Sequence, residues 1–275
     1  LAAACEDDDQ LEDIVATNGH HLLIGLLGAG PESMTTQHAV GALVQLSCLD
    51  GSELQFIEAG VVAPTVALLR TAPTATNEDV LSNAALLVAN LAHTSAGIEA
   101  CQKAGAIPLL VALLHGETAV DAAAGALRNL SADIAAAAAI RSAGAIVPFV
   151  ALLHAAEAET AEEAACTLFN MAGHDEQSDP AFLTALAARP PPPPHDDRPD
   201  LADLLKKLQP TATERLTAAE EGDDAAALQQ AIDQAAAVRV ADAELQRART
   251  KLAAMRERRE RRTSLGLDEL KTPDE

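Results

Sequence analysis

One apolar phrase recurs along the chain at nearly constant intervals. The clear copies are AGVVAPTVALL at 59–69, AGAIPLLVALL at 104–114 and AGAIVPFVALL at 143–153. A weaker copy, NGHHLLIGLLG, begins at Asn18. The glycines of the four copies are 41, 45 and 39 residues apart: Gly19, Gly60, Gly105 and Gly144. A period near 40 residues is typical of stacked helical repeats, so the pattern predicts a solenoid with two or three helices per unit.

Each copy lies between two further helical segments. A short amphipathic stretch precedes the glycine, which suits a left-handed helix end. The phrase itself is apolar on nearly every side, as in a helix packed between neighbours, and a proline stands near its start, where a missing N–H is tolerated. After a polar loop comes a longer helix with one apolar face, for example VDAAAGALRNLSA. The sequence therefore predicts three helices per repeat.

The composition favours the same fold class. The chain has no Trp or Tyr and only four Phe, whereas Ala and Leu are abundant. Such a core packs well only when helices approach closely, and Ala and Leu are strong helix formers. We therefore predict an all-α protein. The scarcity of aromatic side chains argues against stacking sites for bases or flat cofactors, and no cofactor is expected.

The block IEACQKAGAIPLLVALLHGETAVDAAAGALRNLSAD resembles an armadillo repeat, with its Gly-x-Ile-Pro-Leu-Leu segment and its Leu-x-Asn-Leu ending. This resemblance implies a right-handed α-solenoid of about four armadillo repeats. HEAT repeats are the structural alternative. The predicted repeats are 11–51, 52–96, 97–133 and 134–174, with a partial fifth at 178–187, in a domain 11–187 that follows an acidic segment 1–10.

The armadillo resemblance also implies where a partner binds. In that family the third helices line a concave groove, and an Asn near the end of each holds the backbone of an extended peptide. The matching residues here are Asn90, Asn129 and Asn170, with Gln45 in the first repeat. A carboxamide offers a donor and an acceptor, which suits a strand-like ligand. The other interpretation is that each Asn ties a turn within its own repeat.

Other residues of the same helices are predicted to line the groove. About two helical turns before Asn90 and Asn170 lie Asn83 and Glu163, and His93 follows Asn90 on the other side. Glu163, with Glu159 and Glu162, gives the last repeat an acidic wall that would attract a Lys/Arg-bearing segment of a partner, or is simply a solvated face. Import receptors of this family carry Trp one turn before the Asn, whereas this chain has Gly41, Leu86, Gly125 and Cys166 there. Specific docking of a nuclear localisation peptide is therefore not expected.

The charge and the cysteines indicate which partners and which cellular compartment to expect. The formal net charge is −22, with 4 Lys/Arg and 23 Asp/Glu up to residue 180. A phosphate backbone would be repelled, so no nucleic-acid partner is expected. The four cysteines are far apart and form no CxxC pair, which indicates free thiols in a reducing compartment and predicts a cytoplasmic or nuclear location. No apolar run is long enough to predict a membrane span or a signal peptide, and the start at Leu1 suggests a fragment or a processed product.

No catalytic constellation is evident, so we predict no enzymatic activity. The sequence GAG at 28–30 lacks the third glycine of a dinucleotide loop and follows a helix. His20 and His21 adjoin each other without an HExxH motif or a nearby carboxylate, and are predicted to be a surface pair rather than a metal site.

The C-terminal third differs from the repeats. Five consecutive prolines in ARPPPPPHDDRPD, residues 188–200, predict an extended spacer, or a ligand for a Pro-reading domain. A charged helical tail, 201–262, is predicted to form a helical hairpin or a coiled coil, and 263–275 is predicted to be disordered. LADLLKKL is expected to be a short amphipathic piece, separate from the helical segment TATERLTAAEE that follows Gln209 and Pro210.

The last predicted helix is basic, with nine Lys/Arg between Arg239 and Arg262. Three interpretations remain open: a solvated helix end, a patch for nucleic acid or anionic membrane, and a segment 239–262 that contacts the acidic repeats. RRTSL at 261–265 fits a basophilic kinase pattern, so Ser264 is a candidate phosphosite whose phosphate would cancel part of the basic charge.

Together these features predict a non-catalytic scaffold or adaptor that binds another protein in the groove of the third helices. One alternative is the substrate-binding part of a larger enzyme such as a ubiquitin ligase. Another is a cargo binder similar to an import receptor.

Overall fold

The protein divides into two helical units, Leu1–His174 and Asp175–Glu275. The computed structural model describes residues 8–49, 51–172, 179–188 and 199–264. All regular secondary structure within these ranges is helical, so the predicted all-α class is confirmed. Most of the Pro-rich segment and residues 265–275 lie outside the described ranges.

The first unit contains four successive groups of three helices. They are α1 Asp8–Ala16, α2 Gly19–Leu26 and α3 Met34–Leu46; α4 Ser52–Glu58, α5 Val62–Leu69 and α6 Glu78–Leu91; α7 Ser95–Ala104, α8 Ala106–Leu113 and α9 Val120–Leu130; and α10 Ile134–Ser142, α11 Ile146–Leu152 and α12 Ala158–Ala172. A 3-10 turn, Leu27–Ala29, follows α2. The helix α7 crosses the predicted boundary between the second and third repeats.

The third helices form a continuous layer because α3 packs on α6, α6 on α9 and α9 on α12. Their facing positions carry small residues with no exposed surface, among them Ala84, Ala124 and Ala164. Alanine allows two helix backbones to approach closely, which explains how a core almost free of aromatic side chains is filled. Phe56 and Phe149, both fully buried, fill the larger spaces under α4 and α11.

The recurring glycine has the predicted backbone role in three repeats. Gly60, Gly105 and Gly144 have φ angles of 80°, 77° and 86°. The first repeat differs, because Asn18 takes the left-handed conformation with φ 59° and the following Gly19 starts α2. Asparagine tolerates this region better than other side chains, which explains why the weaker copy still turns at the same place.

His21 is exposed as predicted, whereas His20 departs from the predicted surface location. His20 is only 3% exposed, and its ring centroid lies 5.3 Å from that of Phe56. Burial, followed by the neighbouring His21, lowers the pKa of His20. His20 occupies the first inward position of α2, where the other repeats have Val61, Ala106 and Ala145, so its position in the repeat determines its burial.

The second unit contains four helices. They are α13 Asp179–Ala188, α14 Pro199–Glu221, α15 Ala225–Ala237 and α16 Asp242–Ser264. The central helix α15 packs against the other three. The segment predicted to start a fifth repeat, 178–187, instead corresponds largely to α13, which belongs to this unit and packs on α14 and α15.

The predicted break at Pro210 is wrong, because α14 continues through it. A proline inside a helix removes one backbone hydrogen bond. Burial on both sides of Pro210 offsets that loss, since Leu204 and Leu208 before it and Ala212 and Leu216 after it are all at most 1% exposed. Thr263 and Ser264, predicted to be disordered, are the last residues of α16.

Two general searches of the described ranges complete the description. No single helix there combines the length and apolarity that a membrane span needs, although three helix pairs bent by 82° to 93° would meet that test on length and composition alone. No group of three or more His, Cys, Asp or Glu side chains in these ranges is arranged to hold a metal ion.

Candidate functional site

The groove positions predicted from the sequence lie on the four third helices, close to their C-terminal ends. Gln45 on α3 is exposed, whereas Asn90 on α6, Asn129 on α9 and Asn170 on α12 are partly buried. These four residues occupy equivalent positions in successive repeats. Their hydrogen bonds therefore show what a carboxamide does at this position.

Two of the asparagines bind a serine of the preceding repeat. Asn90 Nδ2 donates to Ser47 Oγ at 2.8 Å, and Asn170 Nδ2 donates to Ser131 Oγ at 2.9 Å. Each serine hydroxyl in turn donates to a carbonyl of its own helix, Ser47 to Val44 and Ser131 to Arg128. Because the hydroxyl hydrogen is already used, the serine oxygen must accept, which fixes the orientation of the asparagine amide.

Asn129 makes the same connection without a serine. The preceding repeat has Ala92 at the serine position, and Asn129 Nδ2 donates instead to the Ala89 carbonyl at 2.9 Å. His93 Nε2 lies 3.4 Å from the same nitrogen and can act only as an acceptor towards it. We call the three asparagines with these bonds the asparagine ladder.

The ladder joins neighbouring repeats. All three amide donors reach the preceding repeat, and Asn170 Nδ2 also donates to Cys166 Sγ of its own helix at 4.0 Å. No hydrogen bond from a described residue engages the three Oδ1 atoms. The ladder therefore offers acceptors, rather than donors, to any ligand lying along the third helices.

Asn83 lies about two helical turns before Asn90 on α6. It is partly buried on α6 and makes no hydrogen bond to any described residue. Its Nδ2 would be 3.7 Å from a β-carbon built on Gly41, so it lies over the small residue of the preceding repeat. Unlike the ladder, Asn83 retains both its donor and its acceptor.

Glu163 occupies the space next to Gly125. A β-carbon added to Gly125 would be 2.9 Å from Glu163 Oε1, so the carboxyl group of α12 lies directly against α9. Burial, followed by the charges of Glu159, Asp121 and Glu162, raises the pKa of Glu163 to about 7, although Arg128 acts in the opposite direction. The absence of a large side chain at position 125 is what allows this placement.

The raised pKa of Glu163 predicts a pH-dependent stability. The unfolded carboxyl titrates near its ordinary value of 4.5, so between 4.5 and 7 the native state binds more protons and stability falls as pH rises. Glu163→Gln should therefore raise the free energy of unfolding by about 1.5 kcal/mol at about pH 8, after solvent screening is allowed for. Urea unfolding of both proteins at about pH 4 and about pH 8 measures this.

The exposed neighbour provides the control for that experiment. Glu162→Gln removes the same charge from the same helix, yet it should keep most of the pH dependence of the parent protein, because Glu162 makes the smallest contribution to the raised pKa of Glu163. If the free energy of unfolding changed with pH equally in the parent and in Glu163→Gln, the placement of a protonated carboxyl group against Gly125 would be contradicted.

Sequence reasoning missed three contributors to this surface: Ser47, Ser131 and Gly125. The signal for the serines was present, since QLS and NLS place a serine two residues after the groove position in alternate repeats. Gly125 was noted only as a missing Trp. Its role depends on Glu163, which is 38 residues away in the sequence.

The family comparison identifies the repeat type. A family model described as Armadillo/beta-catenin-like repeat matches residues 135–173, which include α12 and the fourth copy of the phrase. Residues 135–173 are therefore similar to an armadillo repeat. No curated protein matches its sequence significantly.

Solved structures similar to this chain include designed proteins. An engineered protein is 25% identical with a TM-score of 0.61, covering 86% of this chain and 97% of its own. A computationally designed armadillo repeat protein for modular peptide recognition is 24% identical with a TM-score of 0.59, covering 85% and 98%. A designed armadillo repeat protein in complex with the peptide (KR)4 is 22% identical with a TM-score of 0.56, covering 86% and 98%. The predicted armadillo solenoid is thus confirmed.

Proposed function

We propose that this protein is a non-catalytic scaffold whose third helices bind an extended, Lys/Arg-bearing segment of a partner protein. The observation that carries the proposal is the row of carboxamide oxygens on Asn90, Asn129 and Asn170, which remain available after the amide nitrogens have joined the repeats. Each oxygen is an acceptor for a backbone N–H of an extended peptide.

The acidic end of the groove supports a basic partner. Glu159 and Glu162 are exposed on α12, next to the partly buried Glu163. Their charges raise the pKa of Glu163, which means that the three carboxyl groups repel one another when all are ionised. A Lys or Arg side chain placed among them would relieve that repulsion. The designed armadillo protein that binds (KR)4 offers an analogy for such a ligand.

The peptide (KR)4 provides a direct test. Fluorescence anisotropy at low salt should detect its binding to the parent protein, and a peptide of equal length with Gln at every position should not bind. Glu159→Gln/Glu162→Gln should weaken binding by roughly fivefold, because two exposed charges each contribute about 0.5 kcal/mol. Added salt should reduce the difference.

A matched pair of substitutions separates the groove from the overall negative charge. Glu58 at the end of α4 and Glu117 in the loop after α8 are both exposed and lie outside the third helices. Glu58→Gln/Glu117→Gln makes the same change in net charge and should leave the affinity nearly unchanged. An equal loss in both double variants would show that (KR)4 responds to net charge alone, and the groove proposal would then be wrong.

The two finer alternatives differ in what the groove must hold. A receptor for nuclear import cargo needs stacking surfaces for lysine stems, and Gly41, Leu86, Gly125 and Cys166 provide none. The substrate-binding part of a ubiquitin ligase would use the same groove as the scaffold does. We therefore propose the binding function. That the binding unit belongs to a ubiquitin ligase stays the alternative to a free-standing scaffold.

A further inference from the structure

A groove crosses the second unit on the exposed side of α15. Its volume is about 590 Å³, and its walls come from α13 on one side and from the C-terminal half of α16 on the other. The lining is small and apolar at Ala187, Ala226 and Met255, and Arg256 and Arg259 stand on the α16 wall. We call this feature the α15 groove.

The α16 wall extends well beyond the packed part of its helix. Leu245, Ala248 and Leu252 are buried, whereas Met255 is the one partly buried side chain among the described residues that follow. The last three turns of α16 therefore receive little support from packing. Helices of this length are marginal in water when nothing packs against them.

The charges on this extension also oppose its helical state. Arg256 and Arg259 are three residues apart, as are Arg258 and Arg261, so like charges face each other along the helix. One ion pair, Arg261 with Glu257 at 2.5 Å, offsets part of the repulsion. Among the described residues no carboxylate lies within ion-pair distance of Arg256, Arg258 or Arg259, and Arg256 donates instead to Gln229 Oε1 at 2.9 Å.

Carboxylates on the other side of the groove are already engaged. Asp224 Oδ1 accepts from the backbone N–H groups of Ala226 and Ala227 at the start of α15, and Asp233 Oδ1 accepts from Gln229. Asp233 lines the α15 side of the groove, and Asp223 and Asp224 line an adjoining pocket, while Arg256 and Arg259 line the α16 side. The groove is therefore polarised across its width.

We propose that the α15 groove is a docking site for an acidic amphipathic helix of a partner protein. Its small apolar side chains pack against Ala187, Ala226 and Met255, and its carboxylates face Arg256 and Arg259. Neutral or basic positions of the partner face Asp233. The end of α16 lacks an apolar neighbour and a nearby negative charge, and the docked helix supplies both. This second binding surface is independent of the third-helix groove.

A nucleic acid or an anionic membrane fits these observations less well. Glu257 and Glu260 alternate with the arginines. Asp233 lines the groove, and Asp223 and Asp224 line the adjoining pocket, so a continuous phosphate surface would meet repulsion. A helix, in contrast, places its carboxylates on one side only.

The test uses the full chain and a defined probe. The probe is a fluorescein-labelled peptide of Ala, Leu, Glu and Lys, about 18 residues long so that it is helical, with Glu along one side of its apolar face. Arg256→Gln/Arg259→Gln should weaken its binding by about tenfold. Ala226→Phe fills the groove without changing the charge and should abolish binding, and circular dichroism checks that each variant is folded.

The control variant Lys206→Gln/Arg261→Gln removes the same charge at positions outside the α15 groove and should bind the peptide like the parent. The proposal is wrong if a Glu→Gln version of the peptide binds equally well, or if both double variants lose affinity equally. It is also wrong if duplex DNA or phosphatidylserine vesicles bind more tightly than the peptide with the same dependence on Arg256 and Arg259.

Discussion

Replacing Gly97 by alanine is expected to lower the free energy of unfolding by about 3 kcal/mol, which is the upper end of what overpacking a buried site costs. A β-carbon at this position would lie 1.8 Å from the Leu91 carbonyl oxygen and 2.6 Å from its carbon. Both atoms belong to the backbone at the end of α6, so no side chain can turn away to make room. The expected result is a lower urea midpoint, measured by circular dichroism.

Gly25 provides the matched control. It lies inside α2, and a β-carbon there would meet no atom within 4 Å. Gly25→Ala should therefore raise stability by about 0.5 kcal/mol, because alanine loses less backbone entropy than glycine in a helix. If Gly97→Ala were as stable as Gly25→Ala, that result would contradict the close contact between Gly97 of α7 and the end of α6.

Gly97 also shows where a comparison of the repeats misleads. The equivalent position in the next repeat is Ala136, which is fully buried and follows a similar helix start. Aligning the repeats would therefore predict that alanine is acceptable at position 97. The clash arises from the local distance between α6 and α7, and the sequence of one repeat does not contain that distance.

Local sequence patterns predicted the fold because every repeat of a solenoid packs against its neighbours in the same way. The left-handed glycines, the early prolines and the apolar second helices all follow from the chain near them. Pro210 was misjudged for the opposite reason: the tertiary burial of Leu204, Leu208 and Leu216 maintains a helix that local propensity would end. The assignment of α13 to the second unit likewise depends on packing with α14 and α15.

The candidate site was predictable in position but not in bonding. The sequence placed Asn90, Asn129 and Asn170 at equivalent points, whereas the partner of each amide depends on how far one repeat is displaced relative to the next. The same displacement brings Glu163 against Gly125. The contact of 239–262 with the acidic repeats and the modification of Ser264 stay predictions.

The asparagine ladder should contribute to stability as well as to binding. Replacing Asn90, Asn129 and Asn170 together by alanine should lower the free energy of unfolding by about 3 kcal/mol, since each removes one bond between repeats worth about 1 kcal/mol. The three bonds lie in different repeats, so their effects should add. Asn83→Ala, which removes a carboxamide without a described partner, should change stability by less than about 0.5 kcal/mol.

A double-mutant cycle separates the ladder from general loss of packing. If Asn170 acts through Ser131, the effects of Asn170→Ala and Ser131→Ala should overlap, with a coupling energy of about 1 kcal/mol in urea unfolding. Fully additive effects would contradict the bond between them. The cycle also determines how a loss of peptide binding is interpreted, because a triple variant with separated repeats loses affinity even when the ligand never touches an asparagine.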